Sequence, residues 1–239
     1  NGYSQPGAVQ NTNDFEDGLN FELKIEIDAS NTGGGGVLQV KAANCTIKGM
    51  ILNGGPFNIE YEEVFSSTAG YCTVQGNIIG YDATATVSAG GSIRINDCDY
   101  NQIGGVNPED RNLIAGLRIE NSSNNVIQGN YFGTDRTGST GLIGGGSNLL
   151  DLEGTSELNQ IGGVDDNTGN VFAGSNLNAA VAFYGEQVRN NYFYGNKIGV
   201  NVSASQAIGA FNYGVRLSNY ANNNHIGAMG GGNVIASAS

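Results

Sequence analysis

Residue types that commonly form covalent links, metal sites and catalytic centres are scarce in this chain of 239 residues. It contains no tryptophan, three prolines, three cysteines and one histidine. The cysteines are widely separated and include no C-x-x-C pair, which excludes a dense disulfide framework and a zinc site of the usual spacing. The lone histidine, His225, stands in a repeated N-x-I-G motif whose other copies carry glutamine, which indicates a surface position. We therefore expect no catalytic residue and no cofactor.

Basic residues are also few, 10 against 22 acidic ones, and the formal net charge is −12. Such a surface repels the phosphates of nucleic acids and the headgroups of anionic membranes, so neither is an expected partner. No stretch of about 18 apolar residues is present, so no membrane insertion is expected. A signal peptide is not visible either, and a secreted location has to be inferred from the type of fold.

Glycine and aliphatic residues, in contrast, are abundant. The chain has 39 glycines, and 39% of its residues are hydrophobic. This combination suits short buried strands that are separated by tight bends. No segment combines an apolar period of about 3.6 residues with helix caps, so the expected helix content is close to zero.

Two sequence motifs alternate along the chain at a nearly fixed spacing, which is typical of solenoids. The first reads NQIGGVNPEDRNLIAG at 101–116 and NQIGGVDDNTGNVFAG at 159–174, and it returns as NHIGAMGGGNVIAS at 224–237. The second motif reads GNIIGYDATA, GNYFGTDRTG and GNKIGVNVSA, beginning at Gly76, Gly129 and Gly195.

These repeats predict one domain over residues 1–239, an all-β, right-handed parallel β-helix of about eight coils. A sandwich or barrel also has short strands, but its strands differ from one another, whereas here the same residue types return on every turn. An alternating strand at 21–28 is expected to point Leu23, Ile25 and Ile27 inward. The expected division is introductory coils at 1–43, two-coil repeats at 44–100, 101–158 and 159–223, and the start of a further repeat at 224–239.

One column of side chains, two positions before the central aliphatic residue of each coil, is expected to form a ladder at a bend. Stacked asparagines satisfy their amides from coil to coil and tolerate the backbone of a tight turn. Two cysteines in this column are expected to remain free, buried thiols, because parallel Cβ vectors suit a disulfide poorly. The column consists of Cys45, Cys72, Asn101, Asn125, Asn159, Asn191 and Asn224.

The segment NGYSQPGAVQNTNDFEDGLNFELKIEIDAS, together with the later GNYFGTDRTG and NQIGG…NLIAG repeats, resembles a family of bacterial right-handed β-helix repeat proteins. The resemblance covers essentially the whole chain. It implies a β-helix and a secreted or cell-surface location, and it implies little about activity. The departures are Cys45 and Cys72 in place of Asn, Tyr81 and Val200 in place of Thr, and Asn201 in place of Asp.

The candidate ionic sites each have a structural alternative. Asp82 and Asp135 recur in the G-x-D turns and are weak candidates for calcium, but aspartate in a turn usually bonds its own backbone. Arg94, Arg118 and Arg216 recur on the outward side of strands. With Glu60 and Asp151 they form either an exposed ion-pair stripe or a stripe that binds sugars or carboxylates, because arginine grips carboxylates bidentately. We favour the ion-pair interpretation and expect no metal site.

The expected function is a non-catalytic structural or adhesive element outside the cell, with assembly into a surface fibre as one form that it could take. The chain stops where the repeat pattern continues, so either it was cut from a longer protein or its ends pair with a second copy. The alternative function is a β-helix that binds or degrades polysaccharide, as a lyase or glycoside hydrolase. The expected partners are thus a second copy of the chain, end to end, and a polysaccharide.

Overall fold

The computed structural model describes residues 1–32, 36–62, 70–142 and 146–237. Within these ranges the chain forms 22 β-strands, β1–β22, and no α-helix. It also has three single-turn 3-10 helices, Gly2–Ser4, Phe15–Asp17 and Pro108–Asp110. None of the helices in these ranges is long and apolar enough to cross a membrane. The expected near absence of helix is confirmed.

The strands form three sheets, in which every neighbouring pair is parallel. Sheet I has eight strands, β1 Ile25–Asp28, β4 Met50–Asn53, β7 Ile78–Ile79, β10 Leu113–Ile114, β13 Tyr131–Phe132, β16 Val171–Phe172, β19 Lys197–Ile198 and β22 Val234–Ile235. Sheet II has seven, β2 Leu38–Val40, β5 Ile59–Glu62, β8 Ile93–Asn96, β11 Leu117–Glu120, β14 Asn148–Glu153, β17 Ser175–Tyr184 and β20 Ala210–Ser218. Sheet III has seven, β3 Thr46–Lys48, β6 Thr73–Gln75, β9 Gln102–Gly104, β12 Val126–Gln128, β15 Gln160–Gly162, β18 Tyr192–Tyr194 and β21 His225–Ile226.

The chain visits the sheets in the fixed order III, I, II and then begins the next coil. Each strand therefore pairs with its counterparts one coil earlier and one coil later, and never with its neighbour in the sequence. The eight strands of sheet I mark eight layers, and six of these layers have a described strand from all three sheets. This arrangement is a parallel β-helix, and it confirms the fold predicted from the repeats.

Alternation along each short strand separates the core from the surface. In β11, Leu117 and Ile119 are buried, while Arg118 and Glu120 are partly exposed. The aromatic residues of the core lie one above another in the later layers, for example Phe132 and Phe172, whose ring centres are 4.7 Å apart. Burying this continuous aliphatic and aromatic column is the main favourable term in folding.

Residues 1–24 do not form a coil. They form what we call the strap, which runs along the outer face of sheet I and returns, its two arms joined by an antiparallel bridge between Val9 and Glu22. The apolar side chains of the strap cover the outward residues of sheet I in a second hydrophobic cluster. That cluster consists of Phe15, Leu19, Phe21, Leu23, Ile51, Ile78, Tyr81, Ala85, Leu113, Ala115, Tyr131, Val171, Ala173 and Val202.

Polar contacts fix the strap to successive layers. The Tyr3 hydroxyl donates to the Gly76 carbonyl at 2.8 Å, and the Asn11 amide donates to the Pro108 carbonyl at 2.8 Å. Further along, the Arg136 guanidinium donates to the Phe21 carbonyl at 3.0 Å. The strap therefore crosses several coils, and the middle strands of sheet I, β7, β10, β13 and β16, are buried on both faces.

The prediction for the first 43 residues was thus wrong in part. Among the described residues of 1–43, the strands that join the coil stack are Ile25–Asp28 and Leu38–Val40, and the expected strand at 21–28 is half as long. Leu23 is buried, but as part of the strap in the cluster outside sheet I, and Ile27 is 37% exposed. The exposure of Ile27 has a simple cause, since β1 is the outermost strand of sheet I and has a neighbour on one side only.

Candidate functional site

The outward side chains of sheet II form the charged stripe, which contains the arginines singled out from the sequence. Strand pairing places Glu60, Arg94, Arg118 and Asp151 at successive positions of one column. Glu120 and Glu153 occupy the neighbouring column, two residues further along their strands. The stripe therefore brings together two arginines and four carboxylates.

Each arginine of the charged stripe contacts two glutamates, Arg94 one in each flanking layer, and Arg118 one in its own strand and one in the next layer. Arg94 donates to Glu60 at 3.0 Å and to Glu120 at 2.9 Å. Arg118 lies 3.5 Å from Glu120 and donates to Glu153 at 2.6 Å. The hydrogen bonds of Arg94, first that to Glu120 and then that to Glu60, raise the pKa of Arg94 above its ordinary value, although burial acts in the opposite direction. Each guanidinium thus links coils, and two of the partners, Glu120 and Glu153, were not foreseen.

Asp151 is not an ion-pair partner of Arg118. Its carboxylate accepts a hydrogen bond from the Asn148 side chain at 2.6 Å. Burial raises the pKa of Asp151 above its ordinary value, against the opposing effects of Asn148 and Arg118. Arg216 is also separate from the ion-pair network, because Ala182 lies between the positions of Asp151 and Arg216 in the column. Arg216 instead lies over the Tyr213 ring, 5.7 Å from its centre.

A shallow groove lies beside Arg118 and Asp151. It is lined by Phe57, Leu117, Arg118, Asn148 and Asp151, among others, and its volume is about 180 Å³. Pockets that bury a small-molecule ligand usually have volumes of about 300–1,000 Å³. The groove is therefore too small to enclose a sugar ring and its neighbours.

The two weak calcium candidates serve the turns in which they lie. One oxygen of Asp82 accepts from the backbone N–H groups of Thr86 and Val87, both at 3.0 Å. Asp135 accepts in the same way from Ser139 at 3.1 Å and Thr140 at 3.2 Å. Burial opposes ionisation of Asp82, but a hydrogen bond from the Thr84 hydroxyl, together with these backbone hydrogen bonds, holds its pKa below its ordinary value. The described residues contain no group of three or more His, Cys, Asp and Glu side chains that is arranged to hold a metal.

The predicted Asn/Cys column forms a continuous ladder between sheets II and III. From Cys72 onward, each backbone N–H donates to the side-chain oxygen of the next member, at 2.8–3.1 Å. Cys45 and Cys72 are free thiols, of which Cys72 is buried and Cys45 is only partly so. The Cys45 N–H donates to the Cys72 sulfur at 3.3 Å, so the thiol replaces the amide as an acceptor.

A second asparagine ladder, missed from the sequence, lies at the bend between sheets III and I. Its members are fully buried apart from the last. From the second member onward, each side-chain oxygen accepts a hydrogen bond from the backbone N–H of the ladder member one coil earlier, at 2.9–3.3 Å. The ladder consists of Asn77, Asn112, Asn130, Asn170, Asn196 and Asn233. The signal was present, because both repeat motifs carry an asparagine directly before the strand of sheet I.

A cavity of about 740 Å³ lies between the strap and the bends of three later coils. Its lining is acidic and includes Asp14, Glu16, Asp165 and Asp166. The ammonium group of Lys197 enters it and pairs with Glu16 at 2.8 Å. The ion pair between Lys197 and Glu16 therefore links the strap to the coil stack at this cavity.

We compared the chain with models of protein families, with curated proteins and with solved structures. None of them matched. The function of this chain therefore has to be inferred from its own geometry.

Proposed function

We propose that this β-helix is a non-catalytic structural element, a stiff rod that acts outside the cell. One observation carries the proposal: two buried asparagine ladders run through the layers and tie each coil to the next. Buried amide networks that are fully paired make a structure rigid. The charged stripe has the same role, because Arg94 binds glutamates of both flanking layers and Arg118 binds Glu153 of the next layer.

Membership in the bacterial β-helix repeat family and a secreted or cell-surface location belong to the same proposal. The support is the motif order GYSQPG, DGLN and IEID before the GN and N-x-IGG repeats. The structure explains why asparagine recurs in both motifs, since the Asn of each motif belongs to one of the two ladders. A core that is tied together by two internal ladders suits a structural element that has to keep its length by itself.

We further propose that such rods associate end to end. Four residues that belong to the core columns are exposed on the outermost strands, Ile27 at one end and Leu217, Ile226 and Ile235 at the other, to between 37% and 52%. A further coil stacked on either end would cover these side chains and pair the free strand edges. A second copy can supply that coil, and a contact of this kind repeats without closing.

Electron microscopy and sedimentation velocity of the purified chain over a range of concentrations test this proposal. Filaments whose length grows with concentration are expected. The double variant Leu217→Lys/Ile235→Lys places two charges on the end and should abolish elongation. The matched control Val87→Lys/Tyr184→Lys adds the same charge on exposed side positions and should elongate as the wild type does.

A wild-type chain that stays monomeric at every concentration would overturn end-to-end association. Filaments that form equally well from the Leu217→Lys/Ile235→Lys variant would overturn the assignment of the contact to the ends. The proposal of a non-catalytic rod fails separately, if the chain depolymerises a polysaccharide and substitution of Asp151 or Glu153 abolishes that activity.

A further inference from the structure

The outer face of sheet III differs in charge from the rest of this acidic molecule. The middle residue of each three-residue strand is buried and the first is at least partly exposed, so the first and third positions lie on the outward side of the sheet. The third residues of β9 and β15, Gly104 and Gly162, are themselves buried. No aspartate or glutamate occupies these outward positions, and Lys48 carries the only full charge, 3.7 Å from Asp110. The outward residues are Thr46, Lys48, Thr73, Gln75, Gln102, Gly104, Val126, Gln128, Gln160, Gly162, Tyr192, Tyr194 and His225.

Neutral hydrogen-bonding groups are held in fixed positions on this face. The side-chain amides of Gln75 and Gln102 both donate to the Gly104 carbonyl at 3.2 Å. Two coils later, Gln128 and Gln160 both donate to the Gly162 carbonyl at 3.1 Å. Anchoring each amide through its nitrogen leaves the oxygen as an acceptor on the surface. Ordered amides lose little conformational entropy when they bind a ligand.

Aromatic rings continue the same face in the later layers. Tyr192 stacks on His225, with ring centres 5.1 Å apart and planes 10° apart, and meets the edge of Tyr194. These rings add apolar area to a face whose earlier layers present mainly amides and hydroxyls, with Lys48 and Val126 beside them. Such rings offer an apolar surface together with a polar tip.

An exposed apolar border runs along the edge where the chain enters sheet III. Tyr71, Tyr100 and Leu158 stand one residue before the Asn/Cys ladder, and each is between 44% and 57% exposed. The rings of Tyr71 and Tyr100 stack at 4.9 Å, with planes 8° apart. Their large side chains thus stay in solvent beside the neutral face.

The three border residues adopt a backbone conformation that is unfavourable for their residue types. Tyr71, Tyr100 and Leu158 have φ values of 53°, 61° and 58°, in the left-handed region that disfavours bulky residues. The same place in other coils holds Asn44, Asn124, Asn190 and Asn223, a residue type that tolerates this conformation. Bulky residues in a strained backbone that do not fill the core indicate a role outside folding.

We propose that the outer face of sheet III, with its border of Tyr71, Tyr100 and Leu158, binds an uncharged polysaccharide laid along the stack of coils. Apolar faces of sugar rings pack against the aromatic and aliphatic side chains, and hydroxyl groups bond to the threonines and glutamines. The absence of carboxylates and the single paired lysine match a ligand without charge. The site is distinct from the ends of the rod and from the charged stripe, so it does not depend on the proposed assembly.

Affinity electrophoresis in gels that contain laminarin, hydroxyethyl cellulose or guar galactomannan tests the proposal, with polygalacturonate as the charged comparison. Retardation by at least one neutral polymer is expected, and none by polygalacturonate. The variant Tyr71→Asn/Tyr100→Asn introduces the residue that other coils carry at this place, so it should fold with an unchanged or higher Tm. Its dissociation constant for the bound polymer should rise at least about tenfold.

A second variant and a control complete the design. Tyr192→Thr introduces the residue type that earlier layers carry in the same column, and it should weaken binding without loss of folding. Tyr213→Asn/Tyr220→Asn removes two exposed tyrosines from outside sheet III, one of them also at positive φ, and should bind as the wild type does. Sedimentation velocity compares the self-association of Tyr71→Asn/Tyr100→Asn with that of the wild type, and it thereby tests whether the border binds a second copy of the chain instead of a polymer.

Three results would overturn the proposal. The first is that none of the three neutral polymers retards the wild type, and the second is that Tyr71→Asn/Tyr100→Asn binds with unchanged affinity. The third is that the variant loses self-association and not polymer binding, which would make a second copy the occupant. Filament formation is read separately by microscopy, so failure of end-to-end assembly leaves these results interpretable.

Discussion

Replacing Asn130 with alanine interrupts the second asparagine ladder near its centre. Asn130 is fully buried, and its side-chain oxygen accepts from the Asn112 backbone N–H at 3.3 Å. Its amide donates to the Ile103 carbonyl at 2.8 Å and to the Asn170 side chain at 3.1 Å. Alanine leaves the Asn112 N–H buried without an acceptor, and it removes one donor from three further oxygens, those of Ile103, Gln128 and Asn170. The Gln128 and Asn170 oxygens each keep a backbone N–H donor, so the Ile103 carbonyl accounts for most of the further loss.

The expected cost follows from these contacts. A buried polar group left unpaired costs about 1–3 kcal/mol, and each further lost hydrogen bond about 1 kcal/mol, so Asn130→Ala should destabilise the fold by about 3 kcal/mol. For a chain of this size that corresponds to a fall in Tm of about 6–12 °C. Because each coil of a solenoid depends on its neighbours, amide exchange should accelerate most in the layers of Asn112, Asn130 and Asn170.

The measurement is thermal and urea denaturation followed by circular dichroism, with hydrogen exchange to locate the loss. Asn212→Ala is the matched control, because Asn212 is exposed on β20, and it should change the stability by less than about 0.5 kcal/mol. A destabilisation by Asn130→Ala of less than about 1 kcal/mol would refute the reasoning, since it would mean that water or a small shift replaces the amide.

Three further perturbations separate the strap, the ion pairs and the buried carboxyl. Phe15→Ala removes the ring that packs on Tyr131, so it should loosen the strap by about 3 kcal/mol, seen as proteolysis within residues 1–24 while the coils stay protected. Arg94→Met should cost no more than about 1 kcal/mol, and the loss should shrink with added salt in denaturation curves, because the pairs are partly exposed. Asp151→Asn should stabilise the chain at neutral pH, because ionising a carboxyl whose folded-state pKa is raised opposes folding. The gain in Tm should disappear as the pH falls below the ordinary value of 3.8, and a gain that is independent of pH would contradict this explanation.

The coil architecture could be predicted because repetition constrains it so strongly. A residue type that returns at the same place in every turn must stack on itself, and this places the Asn/Cys ladder and the column of Glu60, Arg94, Arg118 and Asp151. The partners within the column could not be predicted in the same way. A long arginine side chain reaches Glu120 and Glu153 in the adjacent column, so register alone does not decide which carboxylate it binds.

The strap could not be predicted because its contacts lack any repeat. Its residues alternate polar and apolar side chains much as an introductory coil would, and local pattern does not distinguish a strand inside the stack from a segment outside it. The decisive evidence lay in the two-residue strands of sheet I, where Ile78 and Ile79, or Leu113 and Ile114, are consecutive apolar residues. Side chains of consecutive strand residues point to opposite faces, so both faces of this sheet had to be covered.

The three faces of the rod differ in what already occupies them. Sheet I is covered by the strap, and sheet II presents arginines and glutamates that are occupied by one another. Only sheet III leaves an uncovered face whose amides and rings are ordered but have no partner beyond their own sheet in the described chain. Tyr71 and Tyr100 then decide between a surface that is merely exposed and one that binds, because asparagine at these two positions would suit the backbone better. If the rod has a ligand, the strained tyrosines mark the face on which that ligand lies.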